Sequence, residues 1–109
     1  MIELRVFRKN DQIQGFELSG HANSGPHGHD LVCSAVSAVS FGTVNSIMKL
    51  CQIDPEIEQG AQGGYLKMLL PEGMSDKAYD KAQTLLQGML VTFQTIERDY
   101  HQYITIIEN

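Results

Sequence analysis

Residues 20–37 read Gly20-His21-Ala22-Asn23-Ser24-Gly25-Pro26-His27-Gly28-His29-Asp30-Leu31-Val32-Cys33-Ser34-Ala35-Val36-Ser37 and hold three of the four histidines and one of the two cysteines. A thiol and an imidazole are the parts of a nucleophile and its base. Cys33 is expected in the first turn of a helix, where unpaired amides and the macrodipole favour negative charge and so the thiolate. His21 is expected to end a strand whose closure onto that helix sets the imidazole beside the thiol. A strand-to-helix connection needs about four residues and this one has about ten. Ala22, Asn23, Ser24, Gly25, Pro26, His27 and Gly28 are therefore expected to form a lid loop.

Each of these residues has an ordinary reading as well. Most cysteines in small domains are inert packing groups, and His27 and His29 inside a loop read as solvent-exposed. His21, His27, His29 and Cys33 are all legitimate zinc donors, but His-x-His-x-x-x-Cys lacks the tight paired spacings of zinc knuckles, so no metal is expected. Asp30 is a helix N-cap by type and position. A carboxylate there would compete for the Cys33 or Ser34 amide, the natural oxyanion donors, so either Asp30 turns outward to hold His21 or the donors lie elsewhere. Ser37, one turn after Cys33, can bond a neighbour or back-bond to the Cys33 carbonyl. Cys51 falls past the other end of the helix, where the dipole has the opposite sign, and reads as packing. His101 reads as a surface group.

Several elements must position these groups. Ile2, Leu4 and Val6 alternate with Glu3, Arg5 and Phe7, and Phe16 and Leu18 share a face of a second run near Gln14–Ser19, with Lys9-Asn10-Asp11 as the turn. From about Asp30 to Leu50, Val32, Val36, Val39, Thr43, Ile47 and Leu50 recur at helix spacing, and Ala35, Ala38, Gly42 and Asn45 make a second face of small groups. Pro55–Gln59 and Tyr65–Leu70 flank Gly60-Ala61-Gln62-Gly63-Gly64 as a second hairpin. Ser75 then caps a helix of about seven turns with an apolar stripe from Ala78 to Tyr100. Tyr103, Ile104, Ile106 and Ile107 supply a last strand. The order ββαββαβ implies an α+β fold, a mixed sheet packed with two helices in a single domain over residues 1–109.

Composition narrows the function. A formal charge of −5 gives no field that favours phosphate backbones, so direct nucleic-acid binding is not expected. No apolar run is read as approaching the ~20 residues of a membrane span, and Met1–Lys9 does not resemble a secretory signal, so the expected compartment is cytoplasmic, with no membrane partner. Cys33 and Cys51 at the two ends of one helix lie ~27 Å apart, against the ~7 Å of bridged Cα atoms, and are expected as two thiols.

The pattern Gly20-His21-Ala22, then Gly28-His29-Asp30-Leu31-Val32-Cys33, then Ser37, resembles the ribosomal-processing cysteine protease family, Prp, of Firmicutes and their relatives. The likeness also covers Ser37-Ala38-Val39-Ser40-Phe41-Gly42-Thr43-Val44-Asn45 and Met89-Leu90-Val91-Thr92-Phe93-Gln94-Thr95-Ile96-Glu97, and so nearly the whole chain. One departure is Ser34, where the family pattern has Ala. The resemblance implies a cysteine endopeptidase with Cys33 as nucleophile, His21 as base, and Asp30 and Ser37 assisting. It implies a homodimer with neither metal nor cofactor, and a loop that moves when substrate binds. The implied substrate is the N-terminal extension of the twenty-seventh large-subunit ribosomal protein, cut after an aromatic residue. A non-enzymatic ribosome-assembly accessory that binds a peptide and a small-molecule thiol hydrolase are the alternatives.

Overall fold

The computed structural model describes residues 1–21, 26–61 and 63–108, with the side chains of residues 26–30 outside the description. The chain runs β1 (Ile2–Lys9), β2 (Gln12–Ser19), α1 (Pro26–Cys51), β3 (Glu56–Gln59), β4 (Tyr65–Leu69), α2 (Asp76–Tyr100) and β5 (Ile104–Glu108). This is the ββαββαβ order that the sequence predicts. The five strands form one sheet in the order β3-β4-β2-β1-β5, antiparallel except where β1 runs parallel to β5.

Local chemistry explains the boundaries. The β1–β2 turn is Asn10-Asp11, both at positive φ (53° and 65°), the conformation a two-residue hairpin demands and short polar side chains tolerate. A bulge follows, with Phe7 paired to Gly15 but Arg8 to Ile13. The α2 N-cap is Ser75, whose hydroxyl accepts the Ala78 amide at 3.1 Å.

Alternation sends Ile2, Leu4 and Val6 of β1, Phe16 and Leu18 of β2, and Leu66 and Met68 of β4 into the core. Val32, Val36, Val44 and Ile47 of α1 and Ala82, Leu86, Met89, Leu90 and Phe93 of α2 meet them there. Polar Gln83 sits in this stripe at 8% exposure. Its Oε1 accepts the Ile13 amide at 2.8 Å and its Nε2 donates to the Ile13 carbonyl at 2.7 Å, which ties α2 to β2.

Three expectations are corrected. Helix α1 begins at Pro26 rather than near Asp30, because proline suits a first helical position, where its missing N–H costs nothing. Leu50 is 52% exposed, and Cys51 takes the buried place at the end of the helix instead. Residues Leu31–Cys51 are, by length and composition, long and apolar enough to cross a membrane, with a mean hydropathy of 1.6. The buried stripe of α1 nevertheless belongs to the core shared with the sheet, the packing of a two-layer domain. The small-residue face, with Ala38 and Gly42, borders a groove against Gly88 and Thr92 of α2.

Candidate active site

His21 stands just beyond the paired part of β2. The Gly20 amide donates to the Gly64 carbonyl at 3.0 Å, continuing the β2–β4 ladder past the Ser19–Tyr65 pair. The Met1 nitrogen donates to the His21 carbonyl at 2.6 Å. The backbone that carries the imidazole is thus held by β1 on one side and by the second hairpin on the other. The side chain itself is exposed.

Cys33 comes from α1, half-buried and packed against the core. His21 and Cys33 line one cavity of about 300 Å³, together with Ser37, Gly64 and Tyr65. That volume is at the small end for ligand pockets. Its floor is apolar, formed by buried residues that include Leu18, Val36 and Leu66. The structure therefore brings together three of the residues singled out in the sequence, His21, Cys33 and Ser37. Asp30 lies inside α1, so it is not the N-cap. Ala22, Asn23, Ser24 and Gly25 of the expected lid fall outside the described residues, while Pro26, His27 and Gly28 belong to α1. The zinc alternative rests on the side chains of His27 and His29, which also fall outside them. Among the described residues, no three His, Cys, Asp or Glu side chains gather into a metal-binding group.

The early start of α1 changes the chemistry expected at Cys33. Counted from Pro26, Cys33 is the eighth residue of the helix, and the macrodipole acts mainly within the first turn. The Cys33 and Ser34 amides belong to the body of the helix, bonded to carbonyls four residues back. Cys51, the last residue of α1, is buried. Burial pushes its thiol pKa up, partly opposed by the positive charge of Lys81.

Three cavity residues escaped the sequence reading. Ser40 is 1% exposed and its hydroxyl donates to the Val36 carbonyl at 2.8 Å. Tyr65 donates its phenol proton to the Glu17 carboxylate at 2.6 Å across the outer face of the sheet, and this hydrogen bond above all pushes its pKa up to about 12. Gly64 lies against the His21 ring. Strand alternation shows that Glu17 and Tyr65 can share a face, but their pairing depends on the β2–β4 register, which no local signal carries.

Comparison with known proteins decides the family. A family model described as Cysteine protease Prp matches residues 1–105. The chain belongs to the Prp family of cysteine proteases. The ribosomal processing cysteine protease Prp of Bacillus subtilis is 43% identical over 110 residues, covering 100% of this chain and 98% of the relative. That of Staphylococcus aureus strain Mu50 is 42% identical over 89 residues, 82% of this chain and 80% of its own. Among solved structures, the S. aureus Prp protease with a covalently linked product peptide superposes with a TM-score of 0.87 at 35% identity, over the whole of both chains. The same protease with a substrate peptide gives 0.84, also at 35% identity over both whole chains. Membership in Prp makes this chain a cysteine protease and sets the non-enzymatic alternative aside.

Proposed function

We propose that this Prp protease removes the N-terminal extension of the twenty-seventh large-subunit ribosomal protein, cutting after an aromatic residue, with Cys33 as nucleophile and His21 as base. The observation that carries the reading is that Cys33 and His21, from different elements, line one cavity with an apolar floor. The Cys33 sulfur attacks the peptide carbonyl carbon, and His21 takes the thiol proton and then delivers it to the leaving amine as the C–N bond breaks. Water hydrolyses the thioester, releases the new carboxyl end and restores the thiol. The apolar floor suits an aromatic side chain on the acyl side of the scissile bond. Ser37, beside Cys33 in the cavity, and Asp30, earlier in α1, assist.

Further parts of the reading rest on the surface and on the family. A homodimer is favoured by Leu31, Phe41 and Met48 of α1 and Val91 of α2, large apolar residues that lie 38–60% exposed. The reaction belongs in the cytoplasm, where ribosomes are assembled, with neither cofactor, membrane nor nucleic acid taking part. A peptide spanning the ribosomal-protein extension, followed by mass, tests the proposal. Wild type should give a single cut after an aromatic residue, Cys33→Ser and His21→Ala should each lose turnover by about 10³-fold or more, and Cys51→Ala should still cut. Undiminished product from Cys33→Ser would show that another group is the nucleophile.

A further inference from the structure

Gly64 follows Gly63 in the β3–β4 connection, and the two share nearly the same left-handed backbone, φ +73° and +77°. Their surroundings differ. A Cβ on Gly63 would meet nothing within 4 Å. A Cβ on Gly64 would lie 2.5 Å from His21 Nε2, 2.8 Å from Cε1 and 3.3 Å from Cδ2. The Nε2–Cε1 side of the imidazole therefore rests where any other residue would carry its side chain. Gly64 cannot draw back to make room, because its carbonyl accepts the Gly20 amide at 3.0 Å and the next residue, Tyr65, is already in register with Ser19. The imidazole can move, since it is the far end of a side chain with two rotatable bonds.

We propose that the bare Cα of Gly64 is the seat of the His21 ring, which makes Gly64 a positioning residue for the base. This rests on the reading of His21 as base given above. Misplacing a reacting group by about 1 Å is worth on the order of 100-fold in rate, and the Cβ of alanine forces a ring shift of that order. The adjacent glycine, which also lines the cavity, supplies the control for kcat alone, because Gly63→Ala has the same left-handed cost, common to any L-residue, and no ring to displace.

The experiment compares Gly64→Ala with Gly63→Ala by steady-state cleavage of the extension peptide and by NMR of the His21 ring. Gly64→Ala should lower kcat by about 100-fold with KM within about twofold, whereas Gly63→Ala should stay within about threefold of wild type in kcat. In wild type the His21 ring protons should show a nuclear Overhauser effect to the Gly64 α-protons, and the ring resonances should move in Gly64→Ala but hold in Gly63→Ala. Equal kcat for the two variants would overturn the proposal, as would a loss confined to KM, which would make Gly64 part of the peptide surface. If wild type cleaves no peptide, the reading of the activity fails and the NMR result alone decides the seat. If Gly64→Ala does not fold, the wild-type Overhauser effect decides it, and its absence refutes the contact.

Discussion

Gln83 ties α2 to β2 from within the core, beside the bond from Gln14 Nε2 to the Tyr79 hydroxyl at 2.6 Å, and its removal has a cost that can be worked out. Gln83→Leu keeps most of the side-chain volume, so little cavity penalty is added, but it strips the partners from both the amide and the carbonyl of Ile13, bonded at 2.8 and 2.7 Å. Ile13 is fully buried. Each orphaned buried group costs about 1–3 kcal/mol, so the substitution should remove about 4 kcal/mol, a large share of the roughly 5–15 kcal/mol of a domain this size. Urea unfolding should show that loss as a lower midpoint with an unchanged slope, and the melting temperature should fall on the order of 15–20 °C. Hydrogen exchange at the Ile13 amide should accelerate more than at Leu4 in the middle of β1. A loss below about 1 kcal/mol would refute the reasoning and would mean that water reaches Ile13 and replaces the glutamine.

Two further outcomes follow from the cysteines and from Tyr65. Iodoacetamide at neutral pH should modify Cys33 before Cys51, because Cys33 lines the cavity while burial holds Cys51 in its thiol form; mass mapping of the folded protein checks this, and faster labelling of Cys51 would overturn it. Folded Tyr65 keeps its proton up to about pH 12 against an ordinary value of 10.0, so the stability it lends is complete below pH 10 and is lost as pH rises towards 12. Urea midpoints from pH 9 to 12 should therefore fall more steeply for wild type than for Tyr65→Phe, and parallel curves would remove the Glu17 bond from the account.

How much was legible in the sequence depends on the range of the interaction. Asn10-Asp11, Ser75 and the apolar stripe of α2 act within a turn or two of themselves, so the hairpin, the cap and the long helix could be read directly. Cys33, His21 and Ser37 stood out because three reactive or polar types cluster around a Gly- and Pro-bearing segment, and the structure joins them in one cavity. The start of α1 was misplaced because glycine and proline mark a loop and a helical first turn alike. Gly64 under the imidazole of His21, Gln83 on Ile13 and Tyr65 on Glu17 are contacts between residues 43, 70 and 48 positions apart. Spacing along the chain says nothing of which such groups meet. Leu50 and Cys51 show a subtler limit, since one residue of helical phase at a terminus decides which of two apolar side chains is covered.

The proposed nucleophile, its base and the glycine beneath the base lie on three segments that meet only at one end of the finished sheet. While the polypeptide is being synthesised, the histidine and cysteine emerge long before the second hairpin, so the nascent chain carries a thiol and an imidazole but nothing that fixes their geometry. A protease assembled in this way is switched on by completing its own fold. On the proposed roles, any lesion that loosens the second hairpin should silence the enzyme rather than leave it cutting without discrimination.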